Sequence, residues 1–522
     1  MTATHSDVLI IGAGVGGGAV AHALAPTGKS IRLLNRQGSL PRERDNWDPV
    51  KLFVEGRYKA DEHWIDGETG EDFRAQMFYW LGGNTKVYGS ALLRLRPEDF
   101  TAMQHEDGLS PAWPITYDDL APYYDRAEAV YHVHGSRGSD PFEPPASGPY
   151  PHPAIAHDPR IAEVAEGLRS QGLQPLDLPM GVKFSEANPG GGAFVLREVF
   201  GAMGRAAFDG YPDMLHLKMD AETATVIPAT AHENVDLVTD ALATRIVTSA
   251  SGSEVVGVDV EVNGETVRYT ADVYVLAAGA IQSPALLFRS ATDAHPDGLA
   301  NSSGRVGRHF MRHVTSKFYT VSSQTPNPTR FQKTLAINDF YFGAKDGSDY
   351  DQIPLGHVHL MGKHAGWQIK QDLPAGSFTD EEYDRIAAHS VDWWVQGEDL
   401  PLYENRVDLA DDGRIRLHYT WTNRGAHNKL MDRLEAALRP IGFDEFYRVP
   451  MPLAVVNHQC GTCRMGTDPA ESVVDVYGRT HDMANLFIAD ASFFPSSGAT
   501  NPTLTIAAHA FRIADYLAEE VL

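Results

Sequence analysis

The first thirty-odd residues constrain the fold of this chain more than any other stretch. Residues 7–11 (DVLII) predict a short buried strand. A glycine cluster follows at Gly12, Gly14 and Gly17, with Gly16 and Gly18 alongside. AVAHALA then carries a helical period, and residues 30–34 (SIRLL) predict a second strand. Strand, glycine turn, helix and strand together make the opening unit of a Rossmann-like α/β layer. In such a unit Gly12 permits the tight turn, Gly14 lets backbone approach a pyrophosphate, and Gly17 lets helix pack on strand. The free N–H groups of the helix start face the phosphates. An acidic residue is expected at the end of the second strand, where it binds a ribose diol. Asn35 stands there instead, followed by Arg36. Asparagine hydrogen-bonds a hydroxyl without bringing charge, and an Asn–Arg pair equally suits a 2′-phosphate. The turn by itself therefore admits both FAD and NADP.

The chain is 522 residues long, too long for one small core, and two domains are expected. Its 43% hydrophobic and 22% charged residues are those of a globular protein. A formal net charge of −25 sets it against nucleic acid and anionic membrane as partners. No apolar run approaches the roughly 18 residues of a membrane helix. The N-terminal MTATHSDVLIIGAG lacks a basic region and a small-residue cleavage site, so a cytoplasmic location is expected. The two cysteines, Cys460 and Cys463, exclude a disulfide framework. Their CxxC spacing admits a thiol redox centre or half of a zinc site, but no second CxxC is present and no metal site is expected.

Further blocks narrow the choice of cofactor. In residues 79–89 (YWLGGNTKVYG) two adjacent glycines sit among bulky residues, as where backbone lies against a flat or charged group. Residues 235–262 alternate apolar and polar and predict antiparallel strands with a turn at 249–253. In residues 272–288 an apolar strand ends in Ala277-Ala278-Gly279-Ala280 and a helix follows, which would return the chain to the first sheet. Near the C-terminus stand HQCGTCRMG (458–466), NLFIADASFFP (485–495) and ATNPTLTIAAHAFRIADYL (499–517). Asp490 follows a predicted buried strand, where its carboxylate would meet a polyol chain. The helix start at Pro502 and Thr503 directs positive dipole toward an electron-rich carbonyl, such as the pyrimidine edge of a reduced flavin.

With these blocks in order, the chain resembles the glucose–methanol–choline (GMC) oxidoreductases. The resemblance rests on the Gly12 turn, LGG at 81–83, WPITYDDLAPYYDRAE from Trp113, LAAGAIQSPALL, VGRHFMRH from Val306, the HQCGTCRMG block and the final NPTLT. Within the family EDLP (398–401), NRV (405–407) and the pairing of His458 with Asn501 are similar to the bacterial pyranose oxidase and glycoside 3-oxidase branch. The resemblance implies a discontinuous FAD-binding domain, residues 1–314 and 446–522, with a loop or helical insertion near 140–215. Residues 315–445 would form a substrate domain with a mixed or antiparallel sheet and helices on its far face. Its strands are expected at KFYTV, GHVHLM and RIRLHYTW, and residues 346–351 and 367–384 as loops near the entrance. Gly82, Gly83, Asn84, Thr85, Val87, Ala243, Ala278, Gly279, Asp490, Ala491, Asn501, Pro502 and Thr503 would join Gly12, Gly14, Gly17, Asn35 and Arg36 around FAD. Lys86 would touch the flavin or its phosphates. Relatives that attach FAD covalently do so through a histidine four residues after the second LGG glycine. That position is Val87, so non-covalent FAD is implied.

The resemblance also implies the chemistry. His458 is the base that takes the hydroxyl proton while hydride passes to flavin N5; histidine suits the role because its pKa lies near working pH. Asn501 donates to the substrate oxygen and cannot itself be a base. It would equally serve as a helix N-cap. His309, His313, His357, His359 and His509 are read as structural or surface residues, and Trp393 and Trp394 as core or as a shelf for a sugar ring. The implied reaction is oxidation of a C3 or C2 hydroxyl of a pyranose or glycoside, with O2 or a quinone taking the electrons. Competing readings are a GMC enzyme for choline, aryl alcohols or sterols, an NADP dehydrogenase, and a flavin-binding protein without catalysis.

Overall fold

The computed structural model describes residues 5–183, 208–213 and 215–522. The expected insertion near 140–215 thus lies partly outside the described residues. A parallel layer runs in the order Val235–Val238, Ile31–Leu34, His5–Ile11, Glu265–Leu276, Leu486–Ile488. Val8, Leu9, Ile10 and Ile11 are all buried, the pattern of a parallel strand covered on both faces. Helices Val15–Leu24 and Thr503–Tyr516 pack together over it. Glu265–Leu276 belongs to two layers. Its second half pairs parallel with His5–Ile11, and its first half pairs antiparallel with Val255–Val262, which continues to Ala241–Thr248. Val235–Val238, expected among the antiparallel strands, is a parallel edge beside Ile31–Leu34. Alternation marks a strand but carries no information about its partner's direction.

A second sheet of six strands is antiparallel throughout. Its order is Glu445–Pro450, Val314–Val321, Ser390–Gly397, His357–Leu360, Leu335–Ile337, Leu176–Asp177. Leu176–Asp177 comes from outside 315–445, and Glu445–Pro450 begins at its last residue. Phe318, Trp393, Val395, Val358, Leu335 and Ile337 point to one face, where helices Pro159–Ser170 and Arg424–Leu438 bury them. Successive residues alternate faces, so Lys317, Trp394 and His359 point the other way. Register makes them neighbours: Lys317 lies opposite Trp394, and Trp394 opposite His359.

Two expectations for this region are corrected. Ile415–His418, from RIRLHYTW, is not in the second sheet; it pairs with Arg406–Leu409 and His63–Asp66 in a separate sheet, where Ile415 and Leu417 bury against Trp64. Residues 367–384 are mostly helical, within Gly366–Asp372 and Asp380–His389. The second of these helices opens on a capping box in which Thr379 Oγ1 accepts from Glu382 N–H and Glu382 Oε2 accepts from Thr379 N–H. Among the described residues no helix is long and apolar enough to cross a membrane.

Candidate active site

A cavity of about 800 Å³ runs from the glycine turn to the inward face of the second sheet. Sterics separate the glycines that leave open room beside their backbone from those pressed against neighbouring backbone. A Cβ on Gly12, whose φ is +107°, would stand 2.4 Å from Ala277 O; on Gly16 it would stand 1.5 Å from Ala489 O, and on Gly17 1.9 Å from Gly12 O. A Cβ on Gly14 or Gly279 meets nothing within 4 Å, and both residues line the cavity. Gly14 is also the N-cap of Val15–Leu24 and has no capping side chain, so that helix start is open to the cavity. Pro502 begins the C-terminal helix in the same uncapped way at the other end of the lining. Room beside bare backbone and two free helix starts fit a dinucleotide's pyrophosphate and an electron-rich ring. Every residue expected around FAD lines this cavity except Gly17, which packs helix on strand, and Lys86. Lys86 turns away to Asp220 and Glu222 at 2.9 and 2.6 Å.

Three of the lining residues are engaged differently from expectation. Asn35 Oδ1 accepts from Ala13 N–H at 3.1 Å, and its amide donates to the carbonyls of Gln37 and Tyr79 at 2.7 and 2.9 Å. Its polar atoms therefore brace the glycine turn rather than stand free for a ribose. Arg36 lies over the Tyr79 ring, 4.2 Å from its centroid, and pairs with Glu62 at 3.1 Å. Glu62 also accepts from Tyr79 Oη and Gln282 Nε2, and it lines the cavity. A carboxylate there cancels the Arg36 charge and repels a 2′-phosphate, which counts against NADP. Asp490 Oδ2 accepts from Gly279 N–H and Ser283 Oγ, and Oδ1 from Ser492 N–H and Oγ. It ties the Ala278–Gly279 turn to the last strand, and its lone pairs are spent inside the protein.

His458 sits in a loop that is laced between two distant segments. Cys460 exchanges backbone hydrogen bonds with Met311, while Gly461 and Cys463 donate to Ala491 and Ser492. The loop holds His458 in the left-handed region, φ +56°. His458 Nδ1 is 2.9 Å from His313 Nδ1, and His313 Nε2 is 3.2 Å from Ser497 O. A carbonyl only accepts, so His313 carries its proton on Nε2. Burial keeps that ring neutral, with its pKa pushed down to about 4. Its Nδ1 is then a lone pair, and His458 must donate Nδ1–H to it. His458 Nε2 is left bare, facing Asn501 Nδ2 at 3.4 Å. Gln396 Nε2 donates to Ala499 O at 2.7 Å and reaches Asn501 Oδ1 at 3.5 Å, which turns the Asn501 amide nitrogen toward the histidine. Asn501 caps no helix; Pro502 takes that position. Desolvation, then His313, Lys333 and Arg312, hold the His458 pKa well below its ordinary value, so the ring is a free base at neutral pH.

Cys460 and Cys463 are buried free thiols whose pKa values burial pushes up, which removes the thiolate a redox pair needs. Among the described residues no group of three or more metal-ligating side chains occurs. Several residues of the site escaped the sequence reading. His313, read as structural, is the partner of His458. His359, Lys333, Asp209 and Glu62 all line the wall. Of the tryptophan pair, Trp393 is core and Trp394 lines the cavity, its ring 6.4 Å from that of His458. Strand parity was the available signal, because adjacent strand residues cannot share a face.

Two family models, each described as GMC oxidoreductase, match residues 195–315 and 404–510. The chain is 31% identical to 6′′′-hydroxyparomomycin C oxidase from Streptomyces lividus, over 98% of this chain and 92% of that protein. It is 29% identical to 2-methyl-1,2-propanediol dehydrogenase from Mycolicibacterium austroafricanum, over 99% and 96%. Among solved structures it resembles pyridoxine 4-oxidase from Mesorbium loti, with a TM-score of 0.66, 20% identity and 98% of each chain covered.

Proposed function

The chain belongs to the GMC oxidoreductase family, and on that premise we propose that it oxidises a secondary ring hydroxyl, at C3 or C2, of a pyranose or glycoside to a keto-sugar. Members of this family bind FAD; here it would be held non-covalently, since Val87 offers no atom for a bond, and O2 or a quinone would take the electrons. The observation that carries the substrate class is the wall facing His458, which is polar and charge-balanced. Lys317 pairs with Asp372 at 2.7 Å and Lys333 with Asp209 at 2.6 Å, beside the Trp394 ring. Each of these carboxylates already has its lysine, so this stretch of wall offers no spare anion to a choline-like cation. Paired charges and an indole suit an uncharged ring with many hydroxyls. A non-sugar alcohol is the second reading, favoured by the similarity to a propanediol dehydrogenase.

In the proposed reaction bound FAD supplies the hydride acceptor. The substrate hydroxyl sits between His458 Nε2 and Asn501 Nδ2, donating to the first and accepting from the second. His458 removes the hydroxyl proton as the C–H bond breaks, and it keeps Nδ1–H on His313 throughout. Asn501 holds the oxygen in register and stabilises the charge that grows there. The test is anaerobic bleaching of the flavin by glucose, xylose, phenolic glycosides, choline and benzyl alcohol. Fast bleaching by a sugar or glycoside is expected, and bleaching only by choline or benzyl alcohol would discard the sugar reading. His458→Ala should retain FAD and lose at least about a hundredfold in that rate.

A further inference from the structure

Several polar groups on the cavity wall take no part in the proposed chemistry, and three of them are neighbours. They are His359, Lys333 and Asp209. His359 is 2% exposed. Its Nδ1–H donates to Leu360 O at 2.9 Å, which leaves Nε2 a lone pair, and Nε2 has no protein partner. Burial and the nearby Lys333 charge keep this ring neutral, so Nε2 stays an acceptor. Nε2 itself is screened from the open space, although the residue lines the cavity; buried acceptors are normally satisfied, and one left over in a lining residue points to a donor that reaches it when the ligand binds.

Lys333 and Asp209, the lysine buried and the carboxylate partly so, pair at the end of the same strands. Lys333 Nζ lies 2.6 Å from Asp209 Oδ1, and Asp209 Oδ2 accepts from Gly362 N–H at 2.5 Å. The Lys333 side chain is 2% exposed, yet the pair faces the cavity. Gly89 makes room for it, since a Cβ there would stand 1.9 Å from Asp209 Oδ1 and 2.3 Å from Lys333 Nζ. An ammonium hydrogen and carboxylate lone pairs side by side match hydroxyl groups, each of which both accepts and donates. Because the pair is charge-balanced, it offers no net attraction to an ammonium substituent.

We infer that these residues read the substrate's non-reacting hydroxyls: His359 Nε2 accepts from one, and the Lys333–Asp209 pair binds a neighbour. Together they select an uncharged, multiply hydroxylated ring. This deepens the sugar reading proposed above and rests on it.

The experiment uses the FAD-loaded protein and anaerobic flavin reduction. The probes are the pyranose that bleaches the wild type fastest and its monodeoxy analogues, each lacking one non-reacting hydroxyl. His359→Phe should slow reduction by the parent sugar about tenfold or more, and should not slow reduction by the one analogue that lacks the partner hydroxyl. His359→Gln, whose amide oxygen still accepts, should recover most of the parent rate. Lys333→Met should show the same pattern with a different analogue. Equal slowing of the parent and every analogue would mean a structural role and overturn the inference while leaving the sugar reading intact. So would a wild type that reacts with every analogue at the parent's rate, a result that needs no variant to fold. A wild type bleached by no pyranose would overturn both.

Discussion

Gly14 and Gly16 lie two positions apart and differ in what a methyl group would meet: open cavity at the first, the Ala489 carbonyl at 1.5 Å at the second. Gly14→Ala should therefore fold normally and lose FAD affinity, whereas Gly16→Ala should destabilise the apoprotein by about 1–3 kcal/mol or more. Flavin content after purification, set against the melting temperature of the FAD-free protein, separates the two. At the other end of the cavity His313 fixes which nitrogen of His458 is bare. His313→Leu should cost about a hundredfold in substrate-driven flavin reduction, because His458 loses the acceptor that enforces its tautomer. His313→Gln should recover much of it, since the amide oxygen accepts Nδ1–H. Activity needs neutral His458, so in the wild type the acid limb of kcat/KM should fall below pH 6.5, in keeping with its lowered pKa. His458 and Asn501 were legible because short, recognisable blocks flank them. Their partners were not, because His313 and Gln396 lie 145 and 105 residues away in the chain.

At the scale of elements, strand Ser390–Gly397 shows how parity divides labour. Trp393 is fully buried among Phe318, Leu335 and Val395, and Trp394 opens on the cavity. Trp393→Ala should cost about 3–5 kcal/mol of stability. Trp394→Ala should leave denaturant unfolding nearly unchanged and instead weaken substrate capture in the reductive half-reaction. Equal destabilisation by both would remove Trp394 from the substrate wall. Strand existence was readable from alternation, but strand partners were not. Val235–Val238 joined the parallel layer, and Ile415–His418 left for a sheet shared with His63–Asp66. The helix Asp380–His389 carried its own signal in Thr379 and Glu382, a capping box that a reading weighted toward loops passes over.

Across the whole molecule, buried histidines shape the pH response. His313, His357, His359, His427 and His509 are held neutral by desolvation, with pKa values below the ordinary 6.5. The unfolded chain takes up a proton at each near pH 6.5. Their contribution to stability is complete above that pH and lost as pH falls toward the folded values, about 2 kcal/mol at pH 5 for His313 and His427, whose folded values are about 4 and about 3. Asp99 and Asp399, raised by burial to about 7 and about 6, act in the opposite sense: their protonation between pH 7 and 5 relieves a cost of similar size per group. His309, His364 and His458 are held down in the same way, so the histidines outnumber the two raised carboxyls and the melting temperature should drop between pH 7 and pH 5. A rise would show that the buried carboxyls dominate.

What the sequence by itself determined is local. The glycine turn, the helix starts at Gly14 and Pro502 and the loop carrying His458 all depend on backbone that few residue types allow, and such constraints are written in short windows. The tertiary structure decided which polar atoms remain free. Asn35 and Asp490 stand where a cofactor-binding fingerprint wants them, yet their hydrogen-bonding capacity is taken up by Ala13, Tyr79, Gly279 and Ser283. His359, unremarkable in sequence, lines the cavity and keeps an acceptor with no protein partner. A side chain's chemistry is set by what fills its remaining lone pairs and protons, and here those partners come from segments that only folding brings together.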